Sequence, residues 1–216
     1  LGDVYKRQAQ PITFGYKVAV WIDEIGRHLE RFEQCAARLF VGQFSGAVGT
    51  MAAISKHGME VQSLMMSSLG LGCPSISWHT ARDTMAEYAI VLGLAMRTVG
   101  KFAHEIISLQ KTELAELEEP MPEGKVGSST MPHKRNPATC ETIVALARSV
   151  RSTVPLALEC MIAEHERDKV ALQTEREYVS RISCNTHAAI NKAIYVTGGL
   201  KVSTKNMYQN LSLMKG

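Results

Sequence analysis

The stretch TARDTMAEYAIVLGLAMRTVGKFAHEIISL, Thr80–Leu109, decides the fold class. Met85, Tyr88, Leu92, Ala95, Val99, Phe102, Ile106 and Leu109 follow one another at alternating steps of three and four. That is the period of a helix packed lengthwise against other helices. Thr80 with Asp83 three residues on reads as a capping box, and Pro120 ends the run. The spacing predicts a rod of about 38 residues, or about 57 Å at 1.5 Å per residue. Such a rod cannot bury its apolar face alone, so it calls for a helical bundle, and an oligomeric one is expected.

The rest of the chain reads the same way. A second long helix is expected over Tyr16 to about Phe40, with Val20, Ile25, Leu29 and Phe32 on its apolar side. A break containing Gly42, Gly46 and Gly49 follows, then a shorter helix from Met59 to Leu69 and a connection from Gly70 to Trp78. From Asn136, a good N-cap, and Pro137, suited to the first helical position, a helix is expected to about His165. Another is expected through Lys192. No run of alternating β-branched residues demands a sheet, so the fold class is all-α. Taken alone, such helices imply only a bundle and no activity.

Bulk properties exclude several functions. The 216 residues are 45% hydrophobic and 21% charged, ordinary for a globular chain. A net charge of +3 is too small to argue for nucleic acid or an anionic membrane. The apolar runs, such as Val18–Ile22, fall far short of the roughly 18 residues a membrane span needs. Five scattered cysteines (Cys35, Cys73, Cys140, Cys160 and Cys184) form no Cys-x-x-Cys and support neither a disulfide framework nor a zinc site. A reducing cytoplasm, no metal and no cofactor are the expectation.

The chemistry concentrates in Gly127-Ser128-Ser129-Thr130-Met131-Pro132-His133-Lys134-Arg135-Asn136-Pro137, within the loop 121–137. Gly127, Ser128 and Ser129 can present consecutive backbone N–H groups as an anion nest. Lys134 adds a positive charge, and the helix starting at Pro137 points its positive end back at the loop. These are the means to activate a serine or to hold a carboxylate or phosphate.

The run also closely resembles the signature of the fumarase/aspartase superfamily, G-S-S-x-M-P-x-K-x-N-P. Its His-Lys-Arg-Asn-Pro version is similar to the branch of adenylosuccinate lyase and 3-carboxy-cis,cis-muconate cycloisomerase. Ala9-Gln10-Pro11-Ile12-Thr13-Phe14-Gly15 and Glu164-His165-Glu166-Arg167-Asp168 resemble further elements of that branch. The resemblance implies anti β-elimination through an aci-carboxylate dianion, usually releasing fumarate, with lactone chemistry in the cycloisomerases. It implies Ser128 as the base and Glu141 as the residue orienting an acid histidine. It places Lys134 and Asn136 on a substrate carboxylate, with Ser129, Met131, Thr13, Arg82, Arg167 and Arg176 as further substrate-binding positions. A small dicarboxylate or nucleotide substrate, and a homotetramer whose sites combine residues of three subunits, are implied as well.

Three departures qualify the resemblance. Counting back from Ala9, the acid histidine falls on position 5, which is Tyr5. The match fails so abruptly before Ala9 that residues 1–8 are expected to be non-native or a junction, with 9–200 the central helical domain and 201–216 the start of a further region. The substrate signals also divide. Trp78-His79-Thr80-Ala81-Arg82-Asp83 resembles the cycloisomerase branch, where adenylosuccinate lyases usually have Q-x-x-x-R-D. Arg176 matches a phosphate-holding arginine of adenylosuccinate lyases, yet Leu172 stands where a serine completes that phosphate site. The reading is therefore adenylosuccinate lyase-like C–N cleavage. The cycloisomerase is the alternative, and a non-catalytic structural homologue is the alternative of another class.

Overall fold

The computed structural model describes residues 10–121 and 135–213. Among them six helices run in chain order: α1 Phe14–Leu39, α2 Gly58–Leu69, α3 Asp83–Leu109, α4 Ala138–Glu159, α5 Lys169–Gly199 and α6 Thr204–Leu213. Two short strands, β1 Leu117–Glu118 and β2 Lys201–Val202, pair antiparallel with Leu117 opposite Val202. The all-α bundle expected from the periodicity is what forms, apart from this two-residue ladder.

Two compact units divide the chain: Leu1–Gly26, Arg97–Arg148 and His187–Gly216 in one, Arg27–Met96 and Ser149–Thr186 in the other. The core of the first is a cluster of Trp21, Phe102, Ala103, Ile106, Leu109, Leu117, Cys140, Ile143 and Val196. Trp21 stands edge-on to Phe14 and to Phe102, at centroid separations of 6.3 and 5.2 Å, the T-shaped geometry aromatic rings prefer. In the second unit Cys35, Met66, Ala89, Leu92, Met96, Val150, Tyr178 and Ile182 are buried. The α3 stripe supplies both units: Leu92 and Ala95 are buried in one, and Phe102, Ile106 and Leu109 in the other.

The α3 rod is shorter than the periodicity implies. It has 27 residues, about 40 Å, and stops at Leu109 rather than at Pro120. Residues 110–119 contain no breaker, but tertiary partners outbid their helix propensity. Leu117 is buried in the core, and Asn206 and Asn210 of α6 donate to the carbonyls of Ala115 and Leu114 at 2.7 and 2.9 Å. Ala115 takes a left-handed φ of 49° to make that turn.

Two caps also differ from the sequence reading. Asp83 is the first residue of α3, and the Arg82 carbonyl accepts its opening bond from Ala86, so Thr80 lies outside the cap. α4 starts at Ala138, one residue beyond the expected Pro137, and ends at Glu159 rather than His165. Thr13 caps α1, its hydroxyl accepting from the Tyr16 amide at 3.1 Å. α2 ends in a Schellman motif in which left-handed Gly70 (φ 67°) allows Leu71 N–H to reach Met66 O.

Candidate functional site

Ser128, Ser129, Met131 and Lys134 lie outside the described residues, as does Tyr5. What the structure shows is the framework on either side of residues 122–134. Asn136 is exposed just before α4, and Glu141 is exposed in the first turn of that helix.

That helix end is already occupied by a carboxylate. Glu119, only 7% exposed, accepts the amides of Thr139 and Cys140, both at 2.9 Å. These are among the four orphan donors of a helix N-terminus, and a carboxylate there also meets the positive end of the dipole. Two of the amides at the positive end of α4 are thus taken by a side chain of the chain itself, and the helix begins at Ala138, so Asn136 is not its cap. The neighbouring groups complete a clamp. Glu119 N–H donates to Gln110 Oε1 at 2.8 Å, and Gln110 Nε2 donates to Arg135 O. Arg135 and Lys201 both pair with Glu118. Burial, and then the hydrogen bond to Glu119, push the Cys140 thiol far up, so it stays protonated.

A second polar cluster forms in the other unit. Arg82, 3% exposed, places NH1 3.1 Å from both oxygens of Glu175. Its guanidinium also donates to Trp78 O and lies 4.8 Å from the Trp78 ring centroid. The Trp78 indole N–H donates to Gly42 O at 3.0 Å, and its amide to Gln43 Oε1 at 2.9 Å. His79 is held below its usual pKa by burial first, then by Arg167 and Arg82. Among the described residues, buried Arg82 Nε, His79 Nδ1 and Tyr178 Oη have no hydrogen-bond partner.

The remaining sequence candidates separate into structural and exposed groups. Arg167 is exposed and donates to Ala47 O at 3.1 Å. Asp168, its neighbour, caps α5: it accepts from Val170 N at 2.7 Å and folds the preceding turn by accepting from Glu164 N at 3.1 Å. Those amides, Glu164's first, lower its pKa. Arg176 is exposed on α5, next to Glu175 and one turn after half-buried Leu172. Thr13 is exposed and engaged as the α1 cap.

Glu119, Gln110 and Glu175 carried no signal in the sequence. Among the described residues, no group of three or more His, Cys, Asp or Glu side chains could hold a metal ion, and no helix is long and apolar enough to cross a membrane.

The model of a family described as lyase matches residues 2–152. The N-acetyl-S-(2-succino)cysteine lyase of Enterococcus italicus is 44% identical over 218 residues, 100% of this chain and 48% of that protein. The adenylosuccinate lyase of Methanothermobacter thermautotrophicus is 41% identical over 218 residues, 100% of this chain and 49% of that protein. The crystal structure of 3-carboxy-cis,cis-muconate lactonizing enzyme from Pseudomonas putida superposes with a TM-score of 0.89 at 35% identity, covering 98% of this chain and 46% of that one. The chain spans about half the length of the curated relatives it matches.

Proposed function

This chain belongs to the lyase family within the fumarase/aspartase superfamily, and from that premise we propose that its protein cleaves a carbon–heteroatom bond of a succinyl group and releases fumarate. Ser128 removes the proton beside one carboxylate, and the electron pair moves onto that carboxylate as a dianion held by Lys134 and Asn136. Collapse of the dianion forms the double bond and expels the leaving group, with Glu141 orienting the acid.

The leaving group we favour is a thiol carried on a small acidic molecule. A 44%-identical relative points to it, and Trp78 speaks against the nucleotide. In adenylosuccinate lyases a glutamine usually stands there, whereas here the indole N–H bonds to Gly42 O and the ring lies against Arg82. Leu172 leaves the phosphate site incomplete in the same direction. The 44%-identical relative is by name a lyase of a succinylated cysteine. Exposed Arg176 then suits the carboxylate of the departing molecule.

Adenylosuccinate, the substrate the sequence places first, is the second reading and is favoured by Arg176 itself. Lactonisation of carboxymuconate is favoured by Trp78-His79-Thr80 and by the likeness to the lactonizing enzyme. Assembly into a homotetramer is supported by large apolar side chains left exposed on α1 (Tyr16, Ile22, Leu29) and on α5 (Ile190, Ile194).

The test gives the full-length protein N-acetyl-S-(2-succino)cysteine, adenylosuccinate and carboxymuconate separately and follows fumarate and lactone by absorbance. Fumarate with free thiol from the first substrate is expected, and Ser128→Ala should lower kcat by about 10²- to 10⁴-fold. Turnover of adenylosuccinate or carboxymuconate alone replaces the favoured reading with the corresponding one. A folded, silent protein leaves the non-catalytic homologue.

A further inference from the structure

We infer that Glu119 is a positioning residue: its buried carboxylate fills the amide cradle at the start of α4 and fixes the helix end that presents Asn136 and Glu141. The catalytic half of this inference rests on the elimination reading above.

The geometry gives Glu119 two roles at once. Its oxygens take the amides of Thr139 and Cys140, which stand between Asn136 and Glu141 in the chain. Its own backbone amide is tied through Gln110 to the carbonyl of Arg135. The side chain and the main chain of one residue therefore hold both the helix end and the strand of chain leading into it. Glu118, the preceding residue, repeats the tie from its other face by pairing with Arg135 and with Lys201 of β2. Residue 119 thus leads out of β1 and is pinned to the far end of the same loop. A substrate carboxylate cannot use the Thr139 and Cys140 amides while Glu119 is on them.

Two physical consequences follow, and the second separates positioning from mere support. Removing the carboxylate frees the Thr139 and Cys140 amides, which then exchange with solvent and offer a site to a small anion. Asn136 and Glu141 lose their fixed helix end, and small displacements of positioning groups are amplified in the rate.

The experiment uses the full-length protein as wild type, Glu119→Ala and Glu119→Gln. In Glu119→Ala, hydrogen exchange at Thr139 and Cys140 should accelerate at least about tenfold, while amides in the middle of α5 keep their protection. At a temperature where the variant stays folded, kcat for fumarate release should fall about tenfold or more with KM moving less than about threefold. Formate should restore part of that kcat in Glu119→Ala, where a cavity receives it, and none in Glu119→Gln, where the amide side chain fills the space. Unchanged exchange at Thr139 and Cys140 overturns the inference whatever the activity. An undisturbed kcat, or a loss that follows melting temperature and ignores formate, overturns the positioning role and leaves a plain cap. A wild type that releases no fumarate from any succinyl substrate defeats the elimination reading and the catalytic half together, and the exchange measurement still decides the cradle.

Discussion

Arg82 and Glu175 form a buried ion pair, with NH1 of the arginine 3.1 Å from each oxygen of the carboxylate. Side-chain exposures of 3% and 14% put it beyond the screening that makes surface pairs nearly worthless. It joins Arg82, the residue just before α3, to the second turn of α5.

Breaking that pair from one side should be costly. Glu175→Ala leaves a buried, uncompensated guanidinium and is expected to destabilise by about 3–5 kcal/mol. The double variant Arg82→Met with Glu175→Leu should recover most of this, because a well-packed apolar pair of similar volume is often neutral. Denaturant unfolding of the single and double variants checks it, and a double variant as unstable as the single would refute it.

His79 should make stability depend on pH. Its pKa is lowered in the fold, by burial first and then by Arg167 and Arg82. The unfolded chain therefore binds more protons than the folded one as pH falls below the ordinary histidine value of about 6.5. The stability from neutral His79 is present above that value and lost as pH falls toward the lowered folded pKa. Melting temperature should fall more between pH 7.5 and 5.5 in the wild type than in His79→Gln, and equal falls would exclude His79 as the source.

Gly93 is a packing contact between α3 and α4. A Cβ there would sit 2.7 Å from Val154 Cγ2. Gly93→Ala gains about 1 kcal/mol of helix propensity but adds an overpacking cost of about 1–3 kcal/mol, for a net loss. Adding Val154→Ala should relieve the clash and bring Gly93→Ala above Val154→Ala alone in thermal stability. A Gly93→Ala protein more stable than wild type would show that the helices part easily there.

Arg176 should report on the leaving group. With N-acetyl-S-(2-succino)cysteine, Arg176→Ala is expected to raise KM about tenfold with little change in kcat, the mark of uniform binding. The matching thioether of N-acetylcysteamine, which lacks the departing carboxylate, should be insensitive. Equal effects on both substrates would remove Arg176 from leaving-group recognition.

Much of the fold was legible because it is periodic. The stripe on α3, the extent of α1 and α2 and the turn at Gly70 all follow from local patterns that one face of a helix imposes on its own residues. Two of the misplaced boundaries lie beside long-range contacts. Residues 110–119 have helix-forming composition, yet Asn206 and Asn210 from nearly a hundred residues away capture their carbonyls. Thr80 matched a capping pattern, yet α3 begins at Asp83, just after Arg82 buried against Glu175. In each case a contact distant in sequence stands against a local preference of about 1 kcal/mol or less.

The sequence by itself determined the helical class and, through the resemblance of Gly127–Pro137, the family, within which roles for Ser128, Lys134 and Asn136 are proposed. Only the tertiary structure decided what surrounds that motif. Glu119 occupies the α4 amides, Glu175 neutralises Arg82, and Trp78 is tied to Gly42. The reason is physical: a motif states which groups are present, whereas hydrogen-bond partnership depends on which distant residues packing brings within about 3 Å.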